Sequence, residues 1–324
     1  MTSAPNRKTT APSVLALSGG IGGAKLDLGL YHVLKPWELA VAANTGDDFE
    51  HLGLTICPDL DTIMYTLSGT SDEVRGWGRQ GETWACLSQL KEIGGSSWFG
   101  LGDKDLAVHL YRTELLRQGK PLGEITGNLF ASFGIKAQVM PMADQPVGTI
   151  VHTTDGRDLP FQRYFVEERC APGVRGFTYQ DAETATPPTA LLAMIRGGNL
   201  RAIVICPSNP FVSINPILSI PGIREALAAS KTPIVAVSPL IGGAAVKGPL
   251  AKMLAEMGLP ASNRSIADQY KGLLTGMIID KTDGDDANNQ LEMPVLAVNT
   301  LMNSLEDRKR LAQDVLEFAD RLGE

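Results

Sequence analysis

Four glycines fall within five residues near the start of the 324-residue chain, and this run is its clearest chemical signal. The segment Gly19-Gly20-Ile21-Gly22-Gly23-Ala24-Lys25 follows an apolar run and precedes apolar residues at helical spacing. Glycines at a strand-to-helix turn let phosphate oxygens approach backbone N–H groups, and the helix dipole attracts the anion. The segment is not a Walker A motif, because Leu26 follows Lys25, nor a regular GxGxxG. It favours a phosphate or nucleotide site over a tight turn without a ligand.

Four aspartates within fifteen residues are the second signal. Asp47 and Asp48 follow an apolar run, where dinucleotide-binding proteins place one ribose-binding acid. Asp59 and Asp61 stand where a helix is predicted to begin, a position at which acids often serve only as caps. Magnesium is usually held by one or two carboxylates together with substrate phosphates. Four acids close to a phosphate loop therefore favour a metal site.

Polar side chains also follow a later apolar run, in Pro207-Ser208-Asn209-Pro210 and at Ser213 and Asn215. The carboxyl end of a parallel strand is where open α/β sheets bind ligands. Ser and Asn can donate to phosphates or contact a base edge. The alternative is a proline-stiffened turn with local hydrogen bonds, and this segment alone does not decide between the two.

Three of the four tryptophans, Trp77, Trp84 and Trp98, lie within thirty residues among several glycines. They indicate either a site for a planar aromatic ligand or a small aromatic core under a loop, and the residues alone slightly favour the core. The four histidines show no metal-binding spacing, and the chain contains no GxSxG or HExxH motif. Acyl transfer by a serine nucleophile and zinc hydrolysis are therefore not expected.

The elements that must position these groups alternate between strand and helix. Val14–Ser18, the glycine segment and Leu39–Ala43 make a strand, turn, helix, strand unit, which is typical of a parallel sheet with helices on its faces. A proline in the first turn predicts a helix starting at Ser219-Ile220-Pro221, and Glu306–Leu322 is predicted as a closing amphipathic helix. Four further strands are predicted, at Ala202–Cys206, Ile234–Ser238, Met277–Asp280 and Val295–Val298.

The middle of the chain follows other patterns. Helices are predicted at Glu82–Ile93, Asp105–Gln118 and Leu122–Phe133. Pro146–Val166 indicates short antiparallel strands with a turn at Asp155-Gly156. We therefore predict an α/β fold with a parallel core, a largely helical insertion and a short antiparallel segment. The predicted divisions are a disordered leader at residues 1–12, a core from residues 13–61 and 134–324, and the insertion at residues 62–133.

Composition narrows the class of protein. Apolar residues make up 44% of the chain, enough for a sizeable core, and the net charge of -7 argues against binding nucleic acid. The cysteines, Cys57, Cys86, Cys170 and Cys206, are scattered, which predicts reduced, mostly buried thiols in a cytoplasmic protein. The longest apolar stretch is broken by a proline and two glycines, so no membrane span is expected.

Six motifs in order resemble those of the 2-phospho-L-lactate transferase family of coenzyme F-420 biosynthesis. The resemblance covers the chain from about Val14 onward, and its first motif resembles the bacterial members rather than the archaeal ones. The motifs are Ser18–Lys25, Asn44–Asp48, Cys57–Thr62, Leu101–Ala107, Pro207–Pro210 and Ser238–Gly243.

This resemblance implies a Rossmann-like, commonly dimeric, magnesium-dependent enzyme. Such enzymes transfer a phosphorylated three-carbon acid from a guanosine diphosphate-linked donor to the primary hydroxyl of the deazaflavin Fo, and GMP leaves. The acid is 2-phospholactyl, phosphoenolpyruvyl or 3-phosphoglyceryl, and the motifs leave this choice open. The residues expected to bind the donor are Gly19, Gly20, Gly22, Gly23, Lys25, Asn44, Ser208, Asn209 and Ser213. The residues expected to bind Fo are Asp48, Asp59, Thr62, Trp77, Trp98 and Asp103.

Among the acids, we predict Asp47 and Asp61 as catalytic residues and magnesium ligands, with Asp48 or Asp59 as reserve ligands or as the group that orients the Fo hydroxyl. Two other functions compete with the transferase. One is a nucleotide-sugar-binding regulator without turnover, of the gluconeogenesis-factor-like type, which shares the glycine loop but not the insertion motifs. The other is an NAD-dependent oxidoreductase, which would need a regular GxGxxG and would use Asp47 and Asp48 for ribose.

Overall fold

The computed structural model describes residues 12–245, 248–284 and 291–324. Of the predicted leader, residues 1–11 lie outside the described residues. None of the described helices has the length and apolar character needed to cross a bilayer. All four cysteines are free, with Cys57 and Cys206 buried, Cys170 partly buried and Cys86 exposed.

A seven-stranded parallel sheet forms the centre, and six of its strands were predicted. Most of its strands are buried on both faces because helices cover them, which is why they appear in the sequence as short continuous apolar runs. The unpredicted strand, Gln138–Pro141, is a short edge strand that begins with a polar residue and ends in proline. The strands are β1 (Val14–Ser18), β2 (Leu39–Ala43), β5 (Gln138–Pro141), β9 (Ala202–Ile205), β10 (Ile234–Val237), β13 (Gly276–Asp280) and β14 (Val295–Val298).

The order across this sheet is β5-β2-β1-β9-β10-β13-β14. The chain runs outward from β1 in one direction through β2 and β5, then returns to the other side of β1 at β9. The carboxyl ends of β1 and β9 therefore diverge into connections on opposite faces. Open α/β sheets bind their ligands in the crevice at such a switch point.

The remaining strands form small antiparallel sheets. The predicted segment after Pro146 is confirmed as two strands joined across the turn at Asp155-Gly156, and a third strand that was not predicted completes its sheet. The other strands pair as two hairpins. In chain order these strands are β3 (Phe49–His51), β4 (Leu54–Ile56), β6 (Gly148–Thr153), β7 (Asp158–Pro160), β8 (Val174–Gln180), β11 (Leu240–Ile241) and β12 (Ala244–Ala245).

The described helices cover both faces of the central sheet. Those that share one hydrophobic core are α1 (Gly20–Val33), α2 (Pro58–Leu67), α4 (Asp103–Arg117), α5 (Leu122–Ser132) and α11 (Leu305–Gly323). Those that pack in the opposite core are α6 (Thr189–Gly197), α7 (Asn215–Ser219), α8 (Ile223–Ala228), α9 (Leu250–Glu256) and α10 (Asn263–Gln269). The helix α3 (Ala85–Glu92) lies on the surface beside α4.

The helices predicted in the insertion are confirmed as α3, α4 and α5. Because α4 and α5 pack in the same core as β1 and β2, the insertion is built as the crossover from β2 to β5. One predicted helix start is wrong: α8 begins at Ile223, and Pro221 precedes its N-cap. Gly222 at that N-cap has a φ of +85°, so the chain makes a separate turn before the helix begins.

Candidate active site

A cavity of about 870 Å³ opens at the carboxyl ends of the central strands, at the switch point. Three regions line it, and we name them by their main residues. The floor comprises Gly19, Gly20, Ile21, Gly22, Lys25, Asp47, Asp59, Ser208, Asn209 and Ser213. The insertion wall comprises Asp61, Thr62, Tyr65, Trp77, Trp98, Phe99, Asp105 and His109. The opposite wall comprises Phe161, Gln162, Phe165, Pro249, Leu250, Thr300, Met302 and Asn303.

The glycine segment is a strand-to-helix turn, as predicted, because β1 ends at Ser18 and α1 begins at Gly20. Gly20 has a φ of +65°, and its N–H donates to Asp59 Oδ1 at 2.8 Å. Ile21 and Gly22 lie in the first turn of α1, where N–H groups lack partners within the helix, and both line the cavity. This end of α1 therefore offers N–H donors and the positive end of a helix dipole to an anion.

The other glycines are required for close packing inside the floor. A Cβ added to Gly22 would lie 2.2 Å from the Pro207 carbonyl oxygen, and one on Gly23 would lie 2.5 Å from Ser18 Oγ. A Cβ on Gly19 would come within 3.0 Å of three side chains. The glycine segment is thus fitted against the strand ends, a reason for glycine that was not foreseen from the sequence.

Asn44 was predicted to bind the donor, and in the structure its side chain is hydrogen-bonded within the protein. The side chain is fully buried directly after β2. Its Nδ2 donates to Asp59 Oδ2 at 2.8 Å and to the Val212 carbonyl at 3.1 Å, and its Oδ1 accepts from the Gly46 N–H at 2.9 Å. Because each polar group already has a partner within the protein, Asn44 acts by fixing Asp59.

Asp59 lines the floor with both carboxylate oxygens hydrogen-bonded, one to Gly20 and one to Asn44. Burial raises its pKa to about 6, although these two hydrogen bonds oppose the shift. A carboxylate with such a pKa is ionised at neutral pH and is basic enough to accept a proton from a reacting group.

Asp47 is buried and lines the cavity, whereas Asp48 is half-buried and is not among the lining residues; the pKa values of both are raised. Burial raises the pKa of Asp47 well above its usual range, and repulsion from Asp59 and Asp48 adds to the shift. The Oδ1 atoms of Asp47 and Asp48 are buried without a hydrogen-bond partner. Unpaired carboxylate oxygens of this kind suit a hard cation such as Mg²⁺. Asp47 therefore fits the role of a magnesium ligand.

Asp61 has a different environment, a network of hydrogen bonds and ion pairs that was not predicted from the sequence. Both of its carboxylate oxygens accept from the guanidinium of Arg112 on α4, which also lies 3.1 Å from His109 Nδ1. His109 Nε2 lies 3.3 Å from Asp105 Oδ1, and the Tyr65 hydroxyl donates to that oxygen at 2.5 Å. A signal was available, because Asp105, His109 and Arg112 recur on one face of α4.

Within the described residues, Asp61, Asp105 and His109 are the group whose possible ligand atoms all lie within 4.8 Å of one another. The buried guanidinium of Arg112 already neutralises Asp61 and would repel a second cation. This group therefore fits a divalent metal less well than Asp47 does, and the structure places the two predicted ligands in unlike surroundings.

The insertion wall presents aromatic rings to the cavity. Trp98 packs against Phe49, with the ring centroids 5.8 Å apart. Trp77 is 48% exposed, and its ring makes an edge contact with the ring of Trp84. The Arg75 guanidinium lies over both indoles, 5.4 Å from the Trp77 ring centroid and 4.7 Å from that of Trp84. The rings pack together, as the aromatic-core interpretation expects, and Trp77 and Trp98 also line the cavity.

Asp103, predicted to bind Fo, is a helix cap. Its carboxylate accepts from Thr83 Oγ1 at 2.5 Å and from the N–H groups of Ala85 and Cys86 at 3.1 Å. These bonds, that from Thr83 first, lower its pKa. Glu82 caps α4 in return. Asp103 therefore caps α3 and is not among the residues that line the cavity, and its contact with Fo stays a prediction.

The serine and asparagine residues after β9 form a locally hydrogen-bonded turn that also lines the cavity. Ser208 Oγ donates to the Gly19 carbonyl at 2.7 Å, which ties this turn to the glycine segment. Asn209 Oδ1 accepts from the Phe211 N–H at 3.0 Å, as in a local turn. Ser208, Asn209 and Ser213 nevertheless all line the cavity.

The opposite wall was not recognised from the sequence. The rings of Phe161 and Phe165 stack with centroids 5.4 Å apart and an interplanar angle of 14°. The loop after β14, which also lines this wall, is held by Lys25, whose Nζ donates to the Met302 carbonyl at 2.9 Å. Lys25 therefore joins the glycine segment to a loop almost three hundred residues away, a link that local sequence patterns do not reveal.

A family profile and individual relatives assign the chain to the same family. The profile of the family described as 2-phospho-L-lactate transferase CofD matches residues 14–316. A phosphoenolpyruvate transferase of Kitasatospora aureofaciens is 40% identical over 318 residues, covering 95% of this chain and 98% of that protein. A 2-phospho-L-lactate transferase of Methanosarcina mazei is 38% identical over 307 residues, covering 94% and 99%. A solved UPF0052 family structure from Bacillus halodurans shares the fold, with a TM-score of 0.60, 14% identity and coverage of 95% and 99%.

Proposed function

Because this chain belongs to the 2-phospho-L-lactate transferase CofD family, a transferase family of coenzyme F-420 biosynthesis, we propose that it transfers a phosphorylated three-carbon acid to Fo. The donor is a guanosine diphosphate-linked acid, the acceptor group is the primary hydroxyl of Fo, and the leaving group is GMP. The observation that carries this proposal is a single cavity that joins the N-terminal end of α1 to a wall of tryptophans. The family favours this function over the regulator and the oxidoreductase.

For the donor, the floor supplies the groups that a diphosphate needs. The first turn of α1 turns N–H donors toward the cavity, and Ser208 and Ser213 add hydroxyls beside them. Lys25 lies at the same edge. We place the guanosine beyond these groups, toward the opposite wall, where the stacked pair Phe161 and Phe165 suits a flat base.

For the acceptor, the insertion wall supplies flat apolar surfaces. Trp77 and Trp98 line the cavity. We place the deazaflavin ring against these indoles, with its ribityl chain passing Thr62 toward Asp59. This placement lets the hydroxyl meet the donor above the floor, where Asp47 and Asp59 lie.

For the metal, we assign Mg²⁺ to Asp47 together with phosphate oxygens of the donor. The Asp47 Oδ1 atom lacks a partner in the protein, and one or two carboxylates usually suffice when phosphates complete the coordination. Bound there, Mg²⁺ would lower the charge repulsion around the reacting phosphorus. Asp61 is assigned to balancing the charge of Arg112 rather than to the metal.

For the reaction, the Fo hydroxyl oxygen forms a bond to the phosphorus that bears the three-carbon acid, and the bond from that phosphorus to the GMP oxygen breaks. Asp59 accepts the hydroxyl proton, since its pKa of about 6 leaves it ionised at neutral pH. Gly20 and Asn44 hold the Asp59 carboxylate in place through hydrogen bonds of 2.8 Å. Phosphoryl transfer depends mainly on this kind of positioning and charge neutralisation.

For the acid, we propose the phosphoenolpyruvyl form. Relatives named phosphoenolpyruvate transferase, from Kitasatospora aureofaciens and Streptomyces species, are 38–40% identical over nearly their whole length. The homodimer implied by the family resemblance and the cytoplasmic location predicted from the cysteines stay predictions.

The test is a turnover assay of the purified protein with Fo, Mg²⁺ and each of the three guanylylated acids, followed by mass spectrometry. We expect the phosphorylated deazaflavin product and an equal amount of GMP, with the enolpyruvyl donor turned over fastest. Product from another donor alone would overturn the choice of acid. Saturable binding of Fo and GDP with no product from any donor would overturn the transferase proposal.

A further inference from the structure

A carboxylate that the proposed reaction does not use lies directly beneath the glycine segment. Asp27, in the second turn of α1, has no exposed surface. The Ser18 hydroxyl donates to its Oδ2 at 2.5 Å, and the Cys206 thiol donates to its Oδ1 at 3.5 Å. Ser18 ends β1 and Cys206 follows β9, so Asp27 joins α1 to both strands of the switch point.

The floor of the cavity packs on Ser18 and Cys206, the two partners of Asp27. A Cβ on Gly23 would lie 2.5 Å from Ser18 Oγ and 2.8 Å from Ser208 Oγ, so the glycine segment already contacts this layer. Ser208, two residues after Cys206, holds the Gly19 carbonyl. A shift of Ser18 or Cys206 would therefore move the first turn of α1, on which binding of an anion depends.

We propose that Asp27 is a positioning residue for the donor: its buried carboxyl fixes Ser18 and Cys206, and through them the N–H groups that receive the diphosphate. This inference rests on the donor site of the proposed function. Asp27 does not touch the cavity, so it acts through its neighbours and is not a catalytic residue.

The charge of Asp27 should make GDP binding depend on pH in a measurable way. Burial raises its pKa to about 7, while the Ser18 and Cys206 hydrogen bonds oppose the shift. The ionisable groups facing this region are Lys25 on the same helix, Asp59 of α2 beside Gly20, the Cys206 thiol, whose pKa burial raises, and Arg308 of α11, whose carbonyl packs on Gly29. Above neutral pH, Asp27 places a negative charge behind the site for a diphosphate, and the like charges repel.

The experiment measures GDP affinity in the full chain at several pH values between about 6 and about 8.5, a range that spans the pKa of Asp27. Wild type is compared with Asp27→Asn, which keeps the shape and removes the charge. Ionisation of GDP and of the floor acids is common to both proteins, so the ratio of their dissociation constants isolates Asp27. We expect the wild-type constant to rise about 3- to 10-fold relative to the variant across this range.

A second variant, Ser18→Ala, tests positioning without titration. It removes the hydroxyl between Asp27 and the glycine segment, and we expect about 10-fold weaker GDP binding with Fo binding unchanged. A constant wild-type to Asp27→Asn ratio at all pH values, or unchanged GDP affinity in Ser18→Ala, would overturn the inference while leaving the proposed function in place. Absence of GDP binding to wild type would overturn both.

Discussion

The floor and the insertion wall of the cavity are built in different ways. The floor consists mainly of backbone and short polar groups at the ends of buried strands, with glycines packed so closely that an added methyl would collide with Pro207 or Ser18. The aromatic part of the insertion wall, Trp77, Trp98 and Phe99, consists of large side chains on loops, where Trp77 remains 48% exposed. A floor of this kind fixes N–H directions for an anion, whereas aromatic rings offer area to a flat ligand with fewer directional demands.

This difference leads to different consequences of mutation. A change in the floor displaces backbone and should affect both stability and donor binding. A change in the insertion wall should affect Fo binding with little effect on the fold, provided that the helix caps formed by Asp103 and Glu82 remain. Each prediction below tests this division, in order of decreasing effect.

The largest effect on ligand binding is expected for Gly22→Ala. The new methyl would lie 2.2 Å from the Pro207 carbonyl oxygen, which is backbone and cannot rotate away. We expect a loss of about 1–3 kcal/mol in the free energy of unfolding and at least ~100-fold weaker GDP binding, measured by denaturant titration and calorimetry. The matched control is Gly127→Ala in α5, where the methyl would meet nothing within 4 Å and should be neutral or stabilising. Equal behaviour of the two variants would contradict the close packing of the floor.

The second prediction distinguishes Asp47 from Asp61, which were predicted together from the sequence as magnesium ligands. Burial and the neighbouring acids disfavour the charged form of Asp47, so Asp47→Asn should stay folded. We expect its turnover to fall about 100-fold and the Mg²⁺ dependence of turnover to change. Asp61→Asn leaves Arg112 buried without its counterion and should cost about 3–5 kcal/mol of stability. The measurements are turnover against Mg²⁺ concentration and denaturant unfolding. A changed Mg²⁺ dependence in Asp61→Asn but not in Asp47→Asn would assign the metal to Asp61.

The pH dependence of turnover tests the role of Asp59. Because its pKa is raised to about 6, the carboxylate accepts a proton only above that pH, and turnover should fall about 10-fold per pH unit below it. A rate profile of wild type and Asp59→Asn is the measurement, with the variant expected to be slow and to lack this acidic limb. An acidic limb that persists unchanged in Asp59→Asn would remove Asp59 as the proton acceptor.

The sequence predicted the floor better than the walls, for physical reasons. Strand ends and glycine turns are local features, so six central strands and the glycine segment could be placed from residue patterns. The Asp61–Arg112 pair and the Lys25–Met302 bond join residues far apart in the chain, and no local pattern encodes them. The cap that Asp103 forms on α3 likewise joins residues eighteen positions apart, which the motif around Asp103 does not show.

The smallest effect is expected for Asp103→Asn. The carboxylate caps α3 and does not line the cavity, so its loss should cost about 0.5–2 kcal/mol of stability and leave turnover at saturating Fo unchanged. Thermal unfolding and the turnover assay together provide the check. A large fall in turnover with normal stability would restore Asp103 as a contact of the acceptor.

The division between floor and insertion wall is tested most directly by titrating both ligands against one variant of each region. Gly22→Ala represents the floor, and the double variant Trp77→Phe, Trp98→Phe represents the insertion wall, since both indoles line the cavity. We predict that Gly22→Ala loses GDP binding but still shows tryptophan quenching by Fo. The double variant should bind Fo about 10-fold more weakly, by calorimetry, and GDP normally. Parallel loss of both ligands in folded samples of both variants, or unchanged Fo affinity in the double variant, would contradict the separate donor and acceptor regions proposed for this transferase.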